Sequence, residues 1–134
     1  MKKDIRRTMG EVTILSIGSN IIVPIQVELH DNTARKLQTE ILEKIEKTGA
    51  KGLIIDVSAV SIIDSFLGRL LVETAKMAKL MGAETVLAGM KKEVVLTLIS
   101  LGLTMKTLHT ALNIEDALSV LECLTGKRDE TNRK

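Results

Sequence analysis

The chain has 134 residues, enough for one domain that buries roughly two-thirds of its unfolded surface. Apolar residues make up 45% and charged residues 27%, with a single proline, a balance that excludes a disordered chain and fits a core of Leu, Ile and Val. The 19 basic and 17 acidic residues leave a net charge of only +2, and with no Tyr or Trp to stack on bases the composition argues against a nucleic-acid partner.

Residues 1–10, "MKKDIRRTMG", are basic, lack the apolar stretch of a signal peptide, and are expected to be disordered or extraneous to the domain. Two β-branched runs follow, Val12 to Ile17 and Ile21 to Val27. They are joined by "GSN", where Gly18 and Asn20 tolerate the positive φ of a tight hairpin. Pro24 has no backbone donor, which suits an edge position or a bulge. Beyond "HDN" (30–32), Asp31 or Asn32 is expected to cap a helix in which Ala34, Leu37, Ile41, Leu42 and Ile45 recur at helical spacing as far as Gly49. Its "EKIEK" segment (43–47) is the solvated face.

"TGAKGLIIDVS" (48–58) then opens an almost purely apolar strand, the pattern of a parallel strand covered on both faces. The next helix turns Leu67, Leu70, Leu71, Thr74, Ala78 and Met81 to one side. "MGAETVLAGM" (81–90) repeats the preceding joint: Gly, Ala, a charged residue, another residue, then an apolar run. Two joints of one design imply two consecutive βαβ crossovers. A third helix is predicted from Lys91 to Ser100, stopping near Gly102. "TMKTL" (104–108) reads as a short strand and "NIEDALSVLECL" (113–124) as a last helix capped by Asn113. Residues 125–134 form a polar tail. The fold class is therefore α/β: a single domain over residues 11–124, with a hairpin leading into a mixed sheet of four or five strands and about four helices packed on it.

Chemistry is sparse along this chain. Neither "GAKG" (49–52) nor "TGKR" (125–128) makes a Walker loop, "VELHDNTA" (27–34) carries no dinucleotide fingerprint, and no G-x-S-x-G elbow exists. A lone cysteine forms no internal disulfide, and the distant His30 and His109 have no metal-site spacing. A reducing, cytoplasmic setting without cofactor or metal is expected, with both histidines as ordinary polar side chains and Cys123 packed as a small apolar group. The longest nearly apolar stretch, "VVLTLISLGLTM" (94–105), is shorter than the roughly 20 residues that cross a bilayer and reads as core. Met77, Met81, Met90 and Met105 are read as core filling, the other reading being a pliable association surface.

One junction stands apart. "SIIDSFLGRLL" (61–71) follows the central strand, at the edge where ligands and reactive groups gather in open α/β sheets. By spacing Asp64 is the helix N-cap, Ser65 starts the first turn, and Ser61 belongs to the loop. Phe66, the only aromatic residue, stands beside an exposed hydroxyl and has no part in a cap.

"IIDVSAVSIIDSFLGRLL", with "KLMGAETVLAGM" one helix later, resembles the STAS-domain anti-sigma factor antagonist family over Glu11 to Leu124, and within it the stressosome scaffold branch. The family pattern D-S-[ST]-G-[LI]-G is altered here: Phe66 and Leu67 follow Ser65, and only Gly68 is kept. The resemblance implies a non-enzymatic regulator of the bacterial general stress response that is phosphorylated on Ser65, with Asp64, Ser61, Phe66 and Gly68 as the switch neighbourhood. The partners it implies are a serine/threonine kinase of the RsbT type, sequestered until Ser65 is modified, related STAS sensor proteins of the RsbR type in a large mixed oligomer, and a phosphatase that resets Ser65; no nucleic acid or membrane is among them. The alternative reading is a module that binds a small anionic ligand or nucleotide near Asp56, Ser61 and Ser65.

Overall fold

A computed structural model describes residues 12–26, 29–102 and 108–126. Strand β3 (Gly52–Asp56) buries Leu53, Ile54 and Ile55 alike, because it is central in a five-stranded sheet with helices on both faces. Along the sheet run β1 (Leu15–Ile17), β2 (Asn20–Pro24), β3, β4 (Glu84–Ala88) and β5 (His109–Ala111), with β1 antiparallel to β2 and the remaining pairs parallel. Helices α1 (Asp31–Thr48), α2 (Ser65–Leu80) and α3 (Lys92–Ser100) connect the parallel strands, and α4 (Ile114–Leu124) follows β5.

Alternation sorts the strand side chains between two cores. Ile21, Val23, Leu53, Ile55 and Leu87 pack with α1, α2 and α3, whereas Ile22, Ile54, Val86 and Ala88 meet Ala117 and Leu121 of α4. Each such Ile or Leu, fully removed from water, contributes about 1.5–3 kcal/mol. With the strands in sequential order, crossovers of one hand return their helices to the same face, where α1, α2 and α3 contribute to the larger core. A Cβ at Gly52 would collide with the Asn20 side-chain oxygen and stand 2.7 Å from Leu121 Cδ1, so the bare glycine leaves room for a β2 side chain and for α4 at once.

Between α1 and α2 the packing is partly polar. Gln38 is buried and its Nε2 donates to Thr74 Oγ1 at 3.0 Å, while the Thr74 hydroxyl donates to Leu70 O at 2.7 Å. Thr74 faces α1 as its spacing predicts, and the amide opposite satisfies its hydroxyl.

Several expectations are corrected. β1 begins at Leu15 rather than Val12, and β2 spans Asn20–Pro24 rather than Ile21 to Val27. Only Gly18 takes the positive φ of the hairpin, at 60°, because Asn20 already belongs to β2. Pro24 holds the expected edge position, although β2 itself is an inner strand. The Ile25 N–H donates to Asp56 O, so backbone alternation turns the donor-less nitrogen of Pro24 toward β1, beyond the last paired residue Leu15.

Helix α1 starts after His30, which makes no side-chain cap bond, and Asp31 sits inside the first turn instead of capping. Met81 and Met77 are exposed, because α2 ends at Leu80 and its buried stripe stops at Ala78. Those two methionines are therefore surface rather than core filling, whereas Met90 packs against the core. Cys123 is exposed as well, since α4 buries Ala117 and Leu121 on its other side. The expected strand at "TMKTL" falls mostly outside the described residues, and β5 is found just beyond it at His109–Ala111. Among the described residues no helix is long and apolar enough to cross a membrane.

Candidate functional site

The sheet delivers three loops to one edge, at the carboxyl ends of β2, β3 and β4. The loop after β3 is pinned to β4 by the Val57 N–H, which donates to Ala88 O at 2.9 Å, and is turned by the Ser58 N–H, which donates to Asp56 Oδ1 at 3.0 Å. Gly89, with φ of 77°, makes the neighbouring loop fit: a Cβ there would lie 2.8 Å from Ser58 Cβ. From Val57 to Asp64 the backbone is irregular, held by the buried side chains of Val57 and Ile63.

That anchoring turns the other residues outward. Ser61, Asp64 and Ser65 are exposed, and Ile62 is 77% exposed, an apolar side chain facing solvent beside two serines. Asp64 caps α2 as its spacing predicts, with Oδ1 accepting the Leu67 N–H at 2.8 Å and its backbone oxygen accepting the Gly68 N–H at 3.0 Å. Ser65 is the first residue of α2, whose first turn holds no acidic residue. Gly68 is buried one turn on, and Phe66 is half-buried against the main core.

Two cations reach this junction from distant parts of the chain. The Arg35 guanidinium of α1 lies over the Phe66 ring, 5.3 Å from its centroid. Lys91, at the N-cap of α3, donates from Nζ to Ser61 Oγ at 3.3 Å. Neither cation lies near residues 61–66 in sequence, so the motif gives no sign of them.

Beside the junction is a cavity of about 600 Å³, within the size range of small-molecule sites. Its walls include the apolar Ile25, Leu29, Val60 and Leu67 and the polar Gln26, His30 and Ser61, and among the described residues that line it the acidic groups are Asp31 and Asp64, with no Lys or Arg. The two carboxylates make this lining less suited to an anion than a basic pocket would be. Asp56 takes no part in the lining; its carboxylate is engaged in the turn at Ser58. Among the described residues no three His, Cys, Asp or Glu side chains gather as a metal site.

Comparison with known proteins bears on the family and the fold. The sequence pattern of the STAS domain matches residues 3–117. A serine-to-glutamate variant of RsbS from Moorella thermoacetica is 36% identical and superposes with a TM-score of 0.77, over 84% of this chain and 96% of that one. A chain from the molecular architecture of the stressosome, a signal integration and transduction hub, is 38% identical with a TM-score of 0.75, over 84% of this chain and 97% of that one. The RsbT co-antagonist protein RsbRD of Bacillus subtilis is 28% identical over 98 residues, 73% of this chain. The chain spans only 35% of the length of that curated relative and 42% of a second one, RsbRA.

Proposed function

The chain belongs to the STAS domain family, and we propose that it is a stressosome scaffold that holds a serine/threonine kinase until Ser65 is phosphorylated. Its fold is that of the anti-sigma factor antagonist domains, similar to RsbS and other stressosome components. The observation that carries the reading is the position of Ser65: an exposed hydroxyl opening α2, directly after a carboxylate engaged as the cap.

A phosphate on that hydroxyl adds about −1.5 to −2 charges. Within the domain it meets the free N–H groups of a helix start, which favour an anion by about 0.3–1 kcal/mol. Across an interface it stands beside Asp64 while water is being excluded, where like charges cost several kcal/mol and each 1.4 kcal/mol is about tenfold in affinity. Modification of Ser65 therefore alters binding far more than folding.

The ATP comes from the captured kinase, of the RsbT type, and a phosphatase restores the serine. Related STAS sensors of the RsbR type join the chain in a large mixed oligomer. In this account the domain of residues 11–124 is a non-enzymatic, cytoplasmic regulator in the bacterial general stress response.

Co-expression with such a kinase and an RsbR-type protein tests the reading. The expected result is a high-mass particle on gel filtration, with the kinase retained by the wild type and by Ser65→Ala and lost from Ser65→Asp. If Ser65→Asp retains the kinase as fully as the wild type, the reading fails.

A further inference from the structure

We infer that Arg35 is an intramolecular phosphate-binding residue: a phosphate monoester on Ser65 is bound by the Arg35 guanidinium, which leaves the Phe66 ring to reach it. The inference rests on Ser65 as the acceptor and adds a receptor for the modification within the chain itself.

The geometry supplies the parts. Arg35 lies in the early turns of α1 with its guanidinium over Phe66, the residue next to Ser65, so the cation is already stationed at the modified position. Both Arg35 and Ser65 are exposed, and the exchange asks only for new torsions along the long, flexible arginine side chain. Asp31, one helical turn before Arg35, does not hold it: the ion pairs among the described residues join Glu84 to Lys79 and to His109.

The exchange is favourable in direction. An exposed cation–π contact is weak, whereas a guanidinium and a phosphate dianion form a two-pronged, charge-assisted hydrogen bond. Asp64 has one oxygen, Oδ1, engaged by the Leu67 N–H, and a phosphate dianion offers the guanidinium about twice the charge of its carboxylate. Two other cations stand near: Lys91 sits on Ser61, and Arg69 lies one helical turn after Ser65 on α2, but neither covers the Phe66 ring, so a phosphate bound by them alone leaves the Arg35–Phe66 contact in place. One covalent event thus adds charge to the junction and uncovers the only aromatic ring of the chain, changing two determinants of one surface together.

The chain contains a single phenylalanine, so biosynthetic incorporation of 4-fluorophenylalanine places one fluorine signal on the ring in question. The ¹⁹F spectrum is compared for the wild type, Arg35→Ala, the full chain with phosphoserine installed at position 65 during synthesis, and the combination of the last two. Phosphoserine is expected to move the resonance to the position found in Arg35→Ala, and to titrate it through the second phosphate ionisation near pH 6. In Arg35→Ala it should cause neither effect. An unchanged resonance on phosphorylation, or an equal shift with and without Arg35, would overturn the inference. Because the phosphate is installed without a kinase, a chain that no kinase modifies would sink the functional reading while leaving the fluorine result standing.

Discussion

Asp64 contributes both a cap and a charge, and two substitutions separate them. Its Oδ1 accepts the Leu67 N–H at 2.8 Å, a bond that Asn at the same position reproduces through its amide oxygen and that Ala abolishes. Loss of a cap of this kind costs about 1 kcal/mol, while the carboxylate charge at a helix start is worth about 0.3–1 kcal/mol when exposed, as Asp64 is. Asp64→Asn, which loses only the charge, should therefore cost about 0.3–1 kcal/mol, and Asp64→Ala, which loses both, about 1.3–2 kcal/mol. In urea, with a slope of about 2 kcal/mol per molar, the Ala variant unfolds about 0.65–1 M earlier than wild type and the Asn variant about 0.15–0.5 M earlier. Raising salt should close the gap between wild type and Asn but not that between Asn and Ala, since only the first is charge against dipole. Equal losses in Asn and Ala would show that the cap bond is worth nothing, and the placement of Ser65 would then need another cause.

Thr85 is 1% exposed and its hydroxyl has no hydrogen-bond partner, so Thr85→Val should stabilise the domain by about 1 kcal/mol, seen as a higher urea midpoint; a lower one would mean that the hydroxyl is satisfied in solution. Gly52→Ala places a methyl group against the Asn20 side-chain oxygen and 2.7 Å from Leu121 Cδ1 and should cost about 1–3 kcal/mol, seen as a lower urea midpoint; an unchanged midpoint would mean that both side chains move aside freely. Ile62→Ser removes an apolar side chain that is 77% exposed; stability should stay within about 0.5 kcal/mol of wild type while capture of the kinase weakens, and unchanged capture would place the binding surface elsewhere.

What the sequence made legible is local. Asp64 as a cap, Asn113 as a cap and the two-faced burial of β3 each depend on residues within a few positions of one another, and all three are found. Helix α1 shows where local rules fall short: Asp31 and Asn32 are both good capping residues, yet the chain enters the helix one residue earlier, at His30. Gln38 is buried where the helical stripe names only apolar residues, because Thr74 lies opposite on a helix 36 residues away. The same limit governs the junction. Ser61, Asp64 and Ser65 can be read from their own neighbourhood, whereas Arg35 and Lys91 arrive about thirty residues from either direction through the parallel crossovers, and no spacing within the motif announces them. Ile62 was equally hidden, since alternation alone does not decide whether it or Ile63 turns inward.

The central claim is that phosphate on Ser65 releases a kinase. The most direct measurement starts from the purified complex of the full chain with its bound serine kinase, adds ATP and Mg²⁺, and follows two quantities together: phosphate at each serine, by mass spectrometry of peptides, and kinase still bound, by gel filtration. The account predicts one phosphate on Ser65, with kinase lost in proportion to its occupancy and no release from Ser65→Ala. Kinase that stays bound to a fully phosphorylated chain, or that leaves the Ser65→Ala chain just as readily, would contradict it.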